Sequence, residues 1–532
     1  MPCLPTVDHR ALELSSALRV HRFSRRKSVH LLALLATVLP VTIHAAVTNY
    51  VWDGNAPFAT GSSRWSRASN WDPTNTAPPA NTIRGLTNTD ITFAGTLKTS
   101  PQLDNDYYIR SLIFAPSAGA FSLVPRAAQT LTIGAGGIVN NSTNIESIFT
   151  SLVLSNSQTW NAAAGTLAIR GTLNLGANNL TITGPGVVNI NNTIQGAGTL
   201  FKQGAGNLIL ATANTFSGGL NLQAGSVTIS NATALGTGPL TLSGGTLNLG
   251  NYTVSPSAFS LLGGVITGSG GISSSAAYQI QAGTVNSRLA GTGSLLKTTS
   301  GIATLTASNT YTGGTRITGG TLYVNNTTGS GTGPGYVSVS NGGLLAGTGF
   351  ITGPVTNALG GTISAGSEIG VLNLGNSVML GGSTLRWDLS NATGTAGTGW
   401  DLLNINGTLT LNISASNPAF LDIVSFTLGG VQGLAANFNP NQNYLWTILQ
   451  TTGGINFLPG ENEQTVFDLL TGNFINPTTG GVFGVSLSPD GKKLNVTYTL
   501  VPEPSMAAIL GLGISFLIHG RRFKRYWSPA RR

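Results

Sequence analysis

Histidine and cysteine are almost missing from this sequence: 532 residues hold five histidines and one cysteine, and only 8% are charged. Position sharpens the shortage. His9, His21, His30 and His44 precede Ala45, His519 stands near the C-terminus and Cys3 is the only thiol, so the long body between the ends has neither residue type. That excludes a thiol or imidazole nucleophile, a Ser-His-Asp triad, a histidine general base and a zinc site built on His or Cys. Carboxylates, hydroxyls, amides and a few Lys or Arg remain for chemistry. No disulfide can staple the body, which packing and backbone hydrogen bonds alone must hold.

What is abundant is glycine, 72 residues, alongside 41% hydrophobic residues. Such a chain is too apolar to stay disordered and too rich in glycine for stable helices. Short strands joined by many turns fit best, and the length admits several domains or one extended array.

The formal charge of +9 would ordinarily point to nucleic acid or an anionic membrane. The basic residues are unevenly placed, however. Residues 1–45 and 505–532 hold six Lys or Arg each, and between them the chain carries 14 basic against 15 acidic residues. A nearly neutral body removes nucleic acid as an expected partner.

An apolar run over 31–43 follows Arg25, Arg26 and Lys27 and ends at Ala45 and Ala46, the order of basic, apolar and small residues found in a secretory signal peptide. Residues 1–45 are read as that peptide, with cleavage at Ala45 and Ala46 and with the secretion translocon and signal peptidase as partners. At the other end Pro502-Glu503-Pro504 precedes an apolar stretch over 506–518 and the basic group Arg521, Arg522, Lys524 and Arg525. As a helix that stretch spans about 20 Å against a bilayer core of about 30 Å, so flanking arginines must snorkel or the membrane must thin. Basic residues after a short transmembrane helix act as a cytoplasmic stop and leave the body outside. This three-part tail, residues 501–532, resembles the Pro-Glu-Pro C-terminal sorting domain, PEP-CTERM, of Gram-negative bacteria that make extracellular polysaccharide. The resemblance implies an inner-membrane-anchored precursor that an exosortase cuts at or near Pro502, Glu503 and Pro504, with delivery to the cell surface, outer membrane or extracellular matrix.

Internal repetition organises the middle. Gly196-Ala-Gly-Thr-Leu-Phe-Lys202 aligns without gaps to Gly291-Thr-Gly-Ser-Leu-Leu-Lys297, and Asn214-Thr-Phe-Ser-Gly-Gly219 aligns at the same offset to Asn309-Thr-Tyr-Thr-Gly-Gly314. Within the units, stretches such as Leu180-Thr-Ile-Thr183, Leu220-Asn-Leu-Gln223 and Thr246-Leu-Asn-Leu249 alternate apolar with polar residues, as half-buried strands require. Strands this short cannot bury a core singly, whereas stacked coils bury a continuous one. The expected fold is therefore all-β, a right-handed parallel β-helix or solenoid over 131–410, in preference to separate β-sandwich domains. The repeats resemble the autotransporter-associated β-strand repeat, in Asn214–Gly219 followed by Ala234-Leu-Gly-Thr-Gly-Pro-Leu-Thr-Leu. No translocator barrel is expected behind them, since the residues after Ala419 are too few for one.

Capping β segments are expected on either side, at 46–130 and 411–500. The first holds Trp52-Asp53, Trp65, Asn70-Trp71 and Asp72, a set that could stack on and hydrogen-bond sugar or could cover the open first coil. The second holds a hairpin signal around Pro489-Asp-Gly491. Acids in the repeats are sparse. Glu146 and Glu368 lie too far apart along the chain to flank one glycosidic bond, Asp104 and Asp106 read as a polar turn rather than a calcium loop, and Asp388 and Asp401 beside Trp387 and Trp400 read as strand-end packing. No catalytic residue, metal site or cofactor is expected. The leading function is a non-enzymatic surface or matrix protein contacting exopolysaccharide or other cell-surface components. The alternative is a secreted carbohydrate-active β-helix enzyme, a polysaccharide lyase or hydrolase.

Overall fold

Alternation at period two decides the architecture rung by rung. Leu180, Leu200, Leu220, Leu240, Phe259, Tyr278 and Leu295 pair in succession, and all are buried. Each comes from a different coil, and each pairing is parallel. A computed structural model describes residues 47–54, 63–72, 77–78 and 88–501. These form one parallel β-solenoid, as the alternation predicts, rather than a row of sandwiches. Antiparallel ladders among the described residues are confined to its two ends.

Three faces wrap the core. The first runs from Thr48–Trp52 and Thr89–Phe93 through Leu200–Lys202 and Leu220–Leu222 to Gly454–Phe457. The second includes Thr166–Ile169, Asn207–Leu210 and Ser226–Ile229 and ends at Phe467–Leu470. The third begins with the first halves of Tyr107–Phe114 and Thr130–Asn140, continues through Ser151–Leu154 and Leu173–Asn174, reappears at Thr253–Val254, and closes through Phe350–Ile351, Val371–Leu374, Leu402–Ile405 and Tyr444–Thr451. Some strands turn a corner without breaking. Leu240–Asn248 pairs with the first face through Leu240 and with the second through Leu247, bending at Gly245, whose φ of +69° suits glycine.

Coil length sets the cross-section. Leu200, Leu220 and Leu240 are 20 residues apart, and the coil from Tyr278 to Leu295 takes only 17. Later coils are longer because excursions leave the stack between Leu389 and Leu402 and between Ser425 and Tyr444. Parallel pairing runs from Thr48 to Leu470, so the segments expected as caps at 46–130 and 411–500 supply rungs as well as covering ends. At the far end the expected hairpin is present: Gly481–Leu487 pairs antiparallel with Lys493–Leu500, which also pairs with Tyr444–Thr451.

Each fully buried Leu, Ile or Val contributes about 1.5–3 kcal/mol, and the stacking makes these contributions continuous along the axis. Among the described residues no helix is long and apolar enough to cross a membrane. Ala45 and Ala46, Pro502, Glu503 and Pro504, and Arg521, Arg522, Lys524 and Arg525 lie outside the described residues.

Candidate functional site

The tryptophans ahead of the repeats do not face solvent. Trp52 sits on the first rung, Trp71 lies opposite it on a short antiparallel strand, and Trp65 packs against Trp71. Ring centroids are 5.1 Å apart for Trp52 and Trp71 and 5.6 Å for Trp65 and Trp71, both edge to face. Phe93 and Tyr107 complete the cluster. All three indoles are at most 1% exposed, and Trp71 Nε1 donates to the Trp65 carbonyl at 2.8 Å. Sugar stacking needs an accessible ring, so this segment is a plug over the first coil. Asp104 serves it: Ser66 N donates to Asp104 Oδ1 at 3.2 Å and Tyr107 Oη donates to the same oxygen at 3.3 Å. Asp106 takes the Thr130 N–H at 2.7 Å. These are turn contacts, and no cluster of three or more His, Cys, Asp or Glu suited to a metal occurs among the described residues.

The two repeat units place the same polar side chains inside. In one apolar column Ile182, Lys202, Leu222 and Leu242 follow one another, so alternation carries Lys202 into the interior. Its ammonium donates to the carbonyls of Gly204 and Ala224, the latter at 3.2 Å. Lys297 donates likewise to Thr299 and, at 2.8 Å, to Gly319. Burial pushes the Lys202 ammonium down to about 8 and lowers Lys297 as well. Beside each lysine stands a glycine with positive φ, Gly225 at +71° and Gly320 at +60°, where a Cβ would come within 2.6 and 2.5 Å of the ammonium. Asn214 and Asn309 are also equivalent. Asn214 accepts from Ile194 N at 2.7 Å and donates to the Ala234 carbonyl at 2.6 Å; Asn309 accepts from Leu289 N at 2.7 Å and donates to Gly331 at 2.6 Å. Each amide thus stitches three coils. The sequence signal for these roles was the repeat alignment, which paired both residues, while their inward direction required the rungs.

Carboxylates are brought together at one place. Asp388 and Asp401 are 1% and 2% exposed. Asp388 N donates to Asp401 Oδ2 at 3.3 Å, and Asp401 Oδ1 accepts from Gly370 N at 2.9 Å. Arg386 Nε donates to Asp388 Oδ1 at 2.8 Å, while Asp388 Oδ2 has no partner. Burial pushes Asp388 up to about 7 despite Arg386, and raises Asp401 well above the carboxylate range with the Asp388 charge adding to it. A shifted acid pair is a familiar mark of catalysis, but these two are closed off by Trp387, whose Nε1 donates to the Asp401 carbonyl at 3.2 Å. No sugar ring can lie between them in this packing. Glu146 is buried and accepts from Phe121 N at 2.8 Å, many rungs from half-buried Glu368.

Two segments of the chain match the passenger-associated transport repeat. They cover residues 200–229 and 295–324, the stretches that contain Lys202, Asn214 and Gly225 and their counterparts Lys297, Asn309 and Gly320. Over 252 residues the chain is also 34% identical to the adhesin BmaC autotransporter of Brucella suis biovar 1 (strain 1330); the alignment covers 44% of this chain and 6% of that protein. The chain spans only a small part of that relative's length. The matched transport repeats are the coils whose interior lysine and asparagine positions coincide.

Proposed function

We propose that this chain is an exported, surface-displayed passenger that contacts extracellular polysaccharide or neighbouring cells and turns over no substrate. The observation that carries the reading is the uninterrupted parallel solenoid with two matched transport repeats, an architecture that offers long outward faces of Thr, Asn and Ser. The similarity to an autotransporter adhesin supports an adhesive role, and burial of Asp388 and Asp401 counts against the lyase or hydrolase alternative. Export follows from the segment ending at Ala45 and Ala46. An exosortase acts at Pro502, Glu503 and Pro504 on a precursor held in the inner membrane by the apolar stretch before Arg521, Arg522, Lys524 and Arg525, and the product reaches the surface or matrix.

Incubating the purified protein with its host's own polysaccharide tests the contact. Capture without cleavage is expected, and release of oligosaccharide would overturn the non-enzymatic reading. Mass spectrometry of the mature termini on fractionated cells tests the processing. A mature chain that retains residues 502–532 in the inner membrane would overturn the sorting step.

A further inference from the structure

An exposed aromatic ring beside a row of amides is the kind of surface the buried tryptophan plug does not provide, and the third face has one. Phe350 pairs with Asn373, Asn373 with Asn404, and Asn404 with Gln450. The flanking Ile351, Leu374, Ile405 and Leu449 are buried, so alternation turns the four residues outward in a single column. Phe350 is 40% exposed. With rungs about 4.8 Å apart the column runs about 14 Å along the axis.

The amides are held before any ligand arrives. Asn373 Nδ2 donates to the Gly349 carbonyl at 3.1 Å, Asn404 Nδ2 to Asn373 Oδ1 at 3.0 Å, and Gln450 Nε2 to Asn404 Oδ1 at 3.4 Å. Each NH2 has two donors, so each amide keeps one N–H to offer outward, and Gln450 keeps its oxygen. Fixing these rotamers in advance lowers the entropy cost of binding. A cavity of about 120 Å³ opens beside the column, floored by Leu374 and edged by Phe350, Thr352, Asn373 and Asn406. An apolar floor with a few convergent polar groups is the usual composition of a small-ligand site. Its lining carries no charge, and Lys493, opposite Gln450, stands only at the far end of the column.

We propose that this column is a binding platform for a neutral linear glycan. A sugar ring lays its C–H face on Phe350, and hydroxyls of the following rings take the free amide groups of Asn373, Asn404 and Gln450. The proposal rests on the polysaccharide-contact reading above and gives that contact a place.

Calorimetric titration of the full chain with cellohexaose and maltohexaose, and with hexagalacturonate as the charged counterpart, tests it. One neutral hexaose is expected to bind with little salt dependence. Phe350→Ala should weaken that binding about tenfold or more, a loss of about 1.4 kcal/mol. Asn404→Ala should weaken it several-fold, Phe350→Trp should retain it, and Thr241→Ala on the first face should leave it unchanged. No binding of either neutral sugar, tighter binding of hexagalacturonate, or unchanged binding in both Phe350→Ala and Asn404→Ala would overturn the platform. Capture on the host's own polysaccharide separates the two levels. If Phe350→Ala is captured like the parent chain, the platform fails and the surface-contact reading stands; if the parent chain is not captured, both fail.

Discussion

Replacing Asp388 by Asn should stabilise the protein at neutral and alkaline pH, although Asp388 makes an ion pair with Arg386. The reason is which effect wins. Asp388 is buried, one of its oxygens has no partner, the charges of Asp422 and Glu368 disfavour its ionisation, and Asp401 and Asp422 also draw on Arg386. Its carboxyl therefore titrates near 7 in the fold against about 3.9 when unfolded. An acid with a raised folded pKa holds its proton in the native state when the unfolded chain has lost it. Its stabilising contribution is full below about pH 4 and is lost as pH rises towards 7. At about 1.4 kcal/mol per unit the full loss is about 4 kcal/mol, and because Asp401 shares the burden, about 2 kcal/mol is assigned to Asp388. Asn keeps the shape, still accepts from Arg386 and carries no charge. Urea unfolding of the full chain at pH 4.5 and pH 8, followed by tryptophan fluorescence, should show Asp388→Asn near neutral at the lower pH and about 2 kcal/mol more stable at the higher. A variant that loses more stability at pH 8 than at pH 4.5 would refute the reasoning.

Three further outcomes are expected. Asn214→Ala and Asn309→Ala each remove two buried hydrogen bonds between coils and should each cost about 2–4 kcal/mol, with hydrogen exchange rising first in the adjoining coils and the two losses adding in the double variant. Lys202 binds its proton less tightly in the fold than in the unfolded chain, so stability should rise between pH 8 and pH 10 in the parent chain, and Lys202→Met should show a smaller rise in thermal melts across the same range, the remainder coming from Lys297. Gly225→Ala and Gly320→Ala place a Cβ at positive φ against a lysine ammonium; a loss above about 2 kcal/mol is expected for each, whereas Gly472→Ala, with open space around it, should change little.

Much of the fold was legible because a half-buried strand writes its own pattern. Leu-Thr-Ile-Thr at 180 and Leu-Asn-Leu at 220 specify which side faces in, and the Gly-Gly corner within Leu240–Asn248 specifies where the chain turns. The internal repeat alignment likewise paired Lys202 with Lys297 and Asn214 with Asn309 before any rung was known. The polar interior was harder to read. A lysine in an apolar column looks the same in sequence as an exposed one, because what admits it is a pair of corner carbonyls from other coils. Trp52, Trp65 and Trp71 carried two meanings for the same reason: a plug and a sugar platform use the same rings, and only packing against Phe93 and Tyr107 selects the plug.

By itself the sequence determined the strand period, the glycine corners, the repeat offset and the neutrality of the body, since each depends on residues close along the chain. The tertiary structure alone decided which residues share a rung. It brought Asp388 and Asp401 into one closed pocket and set Phe350, Asn373, Asn404 and Gln450 in a single outward column across 100 residues of chain. Coil lengths vary from 17 residues upward, so vertical neighbours follow no fixed sequence interval, and only the hydrogen-bonded register fixes them.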